Sequence, residues 1–79
     1  MKEKEPHAGK MIKAELKRQG RTITWLAQQF GYTRENMYKT LSRSWLRTEH
    51  LLKISVIMDC DFFQYYSDWY KKNKGVNSI

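Results

Sequence analysis

The sequence predicts an all-α fold: a compact domain of five short helices, the second and third forming a helix-turn-helix. Three observations predict it. Apolar residues recur at i, i+3, i+4 and i+7 in successive windows, and no stretch sustains the alternation of a strand. Gly or Thr stands at most of the expected breaks, where these residues end or begin helices at little cost. The 79 residues suffice for one domain, and the 14% aromatic content supplies bulk for its core.

The first helix is expected over residues 9–19, with Ile12 and Leu16 inward and Gly20 as its stop. Lys10, Lys13 and Lys17 form its outer stripe, either a phosphate track or a solvated face. Thr22 or Thr24 caps the second helix, in which Ile23, Leu26, Ala27 and Phe30 share one face. Gly31 ends it. Thr33 caps a third, running to about Ser42, with Met37 and Leu41 inward. Ser44, Trp45, Leu46 and Arg47 connect to a fourth, opened by Thr48. Leu51, Ile54 and Met58 lie inside it, with Leu52 and Val56 to one side. Asp61 opens a fifth, where Gln64 is placed to complete a capping box. Lys71, Lys72 and Lys74 stand where cations favour a helix C-terminus. Residues 1–8 and 73–79 are expected to be flexible, leaving 9–72 as the domain.

The net charge of +7 is unevenly spread. Residues 9–47 carry nine basic side chains against two acidic ones; residues 48–70 carry one against four. The first half suits a polyanion, or is simply a solvated basic surface.

Several classes are disfavoured. The apolar run over 54–58 is too short to span a bilayer, so no membrane partner is expected. The opening MKEKEPHAGK has no apolar segment behind its charges, so no secretory signal is expected. A lone Cys60 forms no internal disulfide, suits a reducing compartment and reads as a small buried residue. His7 falls in the flexible end and His50 on a polar helix face; with Cys60 they lack zinc spacing. No phosphate loop, nucleophile elbow or carboxylate pair is present. The reading is therefore a non-enzyme, with no metal, cofactor or small-molecule ligand.

The stretch TWLAQQFGYTRENMYK, residues 24–39, carries the sharpest signal. Two helices meeting steeply need a tight turn, and Gly31 takes positive φ without a Cβ clash. Ala27 lets the two backbones approach, and Leu26, Phe30 and Met37 fix their angle. An ordinary helical hairpin is the plainer alternative. The helix-turn-helix arrangement places its second helix in the major groove.

At Leu26-Ala27, Phe30-Gly31, Thr33-Arg34, Met37, Leu51-Leu52-Lys53-Ile54 and Met58, the chain resembles lambda-repressor-like domains of the Cro and phage-repressor type, over roughly residues 10–66. The resemblance implies five helices, the third reading double-stranded DNA sequence-specifically. It implies a transcriptional regulator, bacterial, cytoplasmic and nucleoid-associated. Base contacts are implied for Thr33, Arg34, Glu35, Tyr38 and Lys39, with Arg34 donating to a guanine edge and Glu35 accepting from a cytosine amine. Phosphate contacts are implied for Arg21, Thr22, Asn36, Arg43 and Arg47. The chain departs from the family at Ile23, where a phosphate-binding Gln is common, and at Thr40, where a core aliphatic is usual. Tyr32 replaces a smaller apolar residue, and Ser42-Arg43-Ser44 stands where Glu-Asn-Gly is usual.

The last helix is richer in aromatics than such a core needs. Phe62, Tyr65, Tyr66, Trp69 and Tyr70, with Phe63, form either a homodimer surface or a broad, half-exposed packing layer. A twofold dimer would set two recognition helices about 34 Å apart. Trp25 and Trp45 read as packing residues. The competing functions are an accessory DNA-binding factor of a mobile element, a protein-interaction module using the aromatic helix, and a single-strand binder using exposed Trp and Tyr.

Overall fold

The computed structural model describes residues 5–74, which form five α-helices and, among those residues, no strand. They are α1 (Ala8–Gln19), α2 (Ile23–Phe30), α3 (Arg34–Leu41), α4 (Thr48–Met58) and α5 (Phe63–Asn73). Each of the first three is closed at both ends by its own sequence. The Thr22 and Thr33 hydroxyls accept from the Trp25 and Asn36 amides at 3.0 and 3.2 Å, satisfying donors that the first turn leaves open. Gly20 and Gly31 end α1 and α2 in the left-handed region, with φ 70 and 87. There Gly31 and Tyr32 both donate to the Ala27 carbonyl at 2.9 Å, which makes the sharp turn between α2 and α3. Asp59 closes α4 with φ 50, a rarer choice that a Cβ disfavours.

One continuous core holds the helices. It contains Ile12 and Leu16 of α1, Leu26, Ala27 and Phe30 of α2, Met37 and Leu41 of α3, and Leu51, Ile54 and Met58 of α4. α2 packs on α3 and on α4, and α1 packs on α3. Ile23, expected inside, is only half-buried at the rim. Thr40 is buried after all: its hydroxyl donates to the Asn36 carbonyl at 2.9 Å, so the polar group is satisfied while Leu41 fills the aliphatic place.

The first helix begins earlier than expected. Ala8 is fully buried, and its amide donates to the Ser44 carbonyl at 2.8 Å. The Gly9 amide donates to the Arg43 carbonyl at 3.1 Å. His7 does not lie in a loose end: its ring nitrogen Nδ1 accepts from the Lys10 amide at 3.1 Å and caps α1. Gly9 is required by the crossing, because a Cβ there would stand 1.7 Å from the Leu41 carbonyl oxygen. Of the expected flexible segments, residues 1–4 and 75–79 lie outside the described residues. Asn73, placed in the tail by the sequence, is buried at the end of α5.

Three further expectations need correction. The capping box on the fifth helix does not form: Gln64 turns along the helix and donates to Asp68 at 2.8 Å, and Asp61 accepts from the Phe63 amide at 3.1 Å instead. His50 is not isolated on a polar face, since its ring meets those of Phe30 and Tyr32 edge-on at 5.6 and 6.2 Å. Phe62 is fully buried and belongs to the core, so it is unavailable to a dimer surface. Burying a Phe ring is worth about 1.5–3 kcal/mol, which anchors the start of α5 to the body.

Candidate nucleic-acid interface

The third helix divides sharply between inside and outside. Met37, Thr40 and Leu41 are buried, whereas Thr33, Arg34, Glu35, Asn36, Tyr38 and Lys39 are exposed. The buried set pins the helix against α2 and α1, so the exposed set is held on a rigid element. All five residues implied as base contacts therefore lie at the start or on the outer face of one helix. The Thr33 hydroxyl uses a lone pair on its cap bond and keeps its proton for donation outward. The Arg34 guanidinium lies over the Tyr38 ring, 5.4 Å from its centre, one helical turn on. A guanidinium is charged at any physiological pH, and Tyr38 beside it raises the Arg34 pKa further.

The implied phosphate contacts spread over a wider surface. Asn36 is exposed on α3 itself. Arg43 is exposed in the α3–α4 loop, whose backbone the α1 amides hold. Arg21 stacks over the Trp25 ring at 4.0 Å, which positions its charge beside the capped start of α2. Thr22 is that cap, and its hydroxyl proton is likewise free to donate. Arg47 pairs with Glu49 at 3.3 Å; both are largely exposed, so the pair is worth little.

Sequence reasoning missed what fixes the turn from below. Lys53 of α4 donates to the Phe30 carbonyl at 3.0 Å and lies 4.4 Å from the centre of the Phe30 ring. Tyr32 meets the same ring edge-on at 4.5 Å. The apolar neighbours of Lys53 were the only clue, and a lysine at helical spacing normally reads as surface. Trp25 is half-buried against the core, as expected of a packing residue. Trp45 is 56% exposed and stacks on Tyr66, a more open position than packing requires.

Two titratable groups away from α3 differ in chemistry. Glu15 is nearly buried and accepts from Arg18 and from Gln19, which hold its carboxyl below the usual range. Burial pushes the half-buried Cys60 thiol up, away from the thiolate that reactivity needs. Among the described residues no group of three or more His, Cys, Asp and Glu is placed to hold a metal ion, and no helix is long and apolar enough to cross a membrane.

A tight turn between two packed helices, the second with a polar and cationic outer face, defines a helix-turn-helix DNA-binding domain. A model of the winged helix-turn-helix DNA-binding family matches residues 7–75, nearly the whole chain, and the protein belongs to that family. No curated protein and no solved structure matches the chain. The described residues hold no strand, and so no β-hairpin wing. The family shown is thus the winged helix-turn-helix one; the lambda-repressor-like assignment is narrower.

Proposed function

We propose that this chain is a sequence-specific, double-stranded DNA-binding transcriptional regulator of lambda-repressor-like architecture, with α3 in the major groove. One observation carries the reading. The exposed surface of α3 consists of polar and charged side chains of the kinds that can bond base edges and phosphates, while its buried side chains lock it to α2. Arg34 and Glu35 supply a donor fork and an acceptor, and Thr33, Tyr38 and Lys39 supply further donors beside them. Arg21, Thr22, Asn36, Arg43 and Arg47 act on phosphates and set the register of α3 on the duplex. Control is by occlusion or recruitment at an operator, in the bacterial cytoplasm and on the nucleoid.

A homodimer through α5 fits this reading with a reduced set of residues. Tyr65 and Tyr70 are exposed, and Tyr66 and Trp69 half-exposed, while Phe62 is excluded by burial. The test is selection from a randomised duplex pool by the full chain. A defined motif of a few base pairs is the expected outcome, doubled with dyad symmetry if the protein pairs. Enrichment of no motif, with binding at low salt only, would reduce the protein to a non-specific DNA coat. A dimer indifferent to every DNA would favour the interaction module.

A further inference from the structure

We infer that Trp45 is a stacking platform for one unpaired nucleobase, and that the protein prefers duplexes carrying such a base beside the segment α3 reads. The inference rests on the duplex-binding reading above and adds a second recognition element to it. Trp45 lies in the loop that follows α3, and the residue is 56% exposed. An indole left this open contributes little to the core, whereas a Trp in this loop could have packed inward beside Leu46, which is half-buried. Yet Trp45 is not loose. The carbonyls of Arg43 and Ser44 just before it accept from the Gly9 and Ala8 amides, so the loop backbone is tied to the start of α1. Its ring is backed by Tyr66 of α5, stacked at 5.7 Å with 28° between the planes. The platform is thus pre-oriented, which lowers the entropic cost of receiving a flat partner.

The surroundings select a base with its phosphates. Trp45 lines an open groove of about 440 Å³ together with Lys10, His7, Met11 and Ser44. Arg43 and Arg47 stand exposed two residues before and after it. Within the groove Lys10 is balanced by Glu5, so the excess positive charge comes from Arg43 and Arg47, which flank Trp45 along the loop; Arg47 has only its weak exposed pair with Glu49. An aromatic face with arginines two residues to either side is the arrangement that grips unpaired bases by stacking and their backbone by charge. In a fully paired duplex the bases are already stacked on each other, so this face has no base to receive.

The full chain is titrated at low salt, by fluorescence anisotropy, against a paired duplex, the same duplex with a single unpaired adenine, and its single strand. The unpaired base should tighten binding roughly tenfold over the paired duplex. Trp45→Ala should erase that preference and leave affinity for the paired duplex unchanged. Trp45→Phe, which keeps a ring over Tyr66, should retain most of it, and far-ultraviolet circular dichroism checks that both variants fold. Equal binding of the two duplexes, a preference that survives Trp45→Ala, or a loss shared by all three DNAs would overturn the inference. Failure of the paired duplex to bind at all would instead strike the duplex-binding reading.

Discussion

Lys53 of α4 donates its ammonium to the carbonyl of Phe30, the last residue of α2, at 3.0 Å. This bond spans 23 residues of sequence and places a cation at the C-terminal end of a helix, where the backbone dipole favours it. It ties the helix-turn-helix to the helix beneath it. The same ammonium lies over the Phe30 ring, which also meets Tyr32 and His50. The turn is therefore braced by aromatic packing and by charge together.

Lys53→Met keeps the apolar stem and removes the cation. The side chain is exposed enough that water replaces part of what is lost, so the expected destabilisation is about 1 kcal/mol. For a domain of this size that lowers the melting temperature by roughly 4–8 °C. Thermal unfolding followed by circular dichroism reads it, and an unchanged midpoint would show that the brace is ornamental.

Gly9→Ala ought to be harmful although Ala is the better helix former. A Cβ at Gly9 would sit 1.7 Å from the Leu41 carbonyl oxygen, so α1 must move away from the end of α3. We expect a loss above about 2 kcal/mol, against a propensity gain of at most about 1 kcal/mol. Gly20→Ala meets nothing within 4 Å and suffers only from its φ of 70, at about 1–2 kcal/mol. Urea titrations of both variants should rank Gly9→Ala as the worse; the reverse order would mean that α1 is not pressed against α3.

Glu15 predicts an acid limb in stability. Arg18, then Gln19, hold its folded pKa below the ordinary 4.5. A lowered carboxyl pKa stabilises the fold at pH values above the unfolded one, and that contribution disappears as the pH falls through the folded value. In Glu15→Gln the contribution is absent throughout. The stability gap between the two proteins should be full near neutrality and close below about pH 4.5. A gap that widens on acidification would contradict the assigned partners.

Arg34→Ala and Arg43→Ala should fail in different ways. With a selected operator, Arg34→Ala is expected to cost about 1–3 kcal/mol and to relax preference at one base pair. Arg43→Ala should weaken all duplexes alike and flatten the log–log salt slope by about 0.9. Binding isotherms on the operator and on single-base variants separate the two. A uniform loss for Arg34→Ala would move that residue to the phosphate class.

How much the residues announce by themselves depends on the range of the interaction. The turn is local: Thr22, Gly31 and Thr33 act on amides and dihedrals a few positions away, so the end of α2 and the start of α3 were legible, and the start of α2 was narrowed to Thr22 or Thr24, of which Thr22 is the cap. Helical spacing likewise marked Ile12, Leu16, Leu26, Met37, Leu41 and Ile54 as core, because burial of an amphipathic helix follows its own period. The exposed face of α3 followed from the same period, whereas the base-contact candidates on it came from the resemblance to lambda-repressor-like domains.

What the chain alone determined was thus the helices, their breaks and the basic half. Folding decided the rest, because it rests on pairs that are distant in sequence and meet only when helices cross. Gly9 is needed only because the end of α3 passes over it, and Lys53 is a cap only because α2 stops within its reach. The aromatic surplus of the last helix was visible as composition. Its division into a buried Phe62, a Tyr66 that backs Trp45, and an outward Tyr65 and Tyr70 depends on the angle at which α5 leaves the body, which no local period encodes.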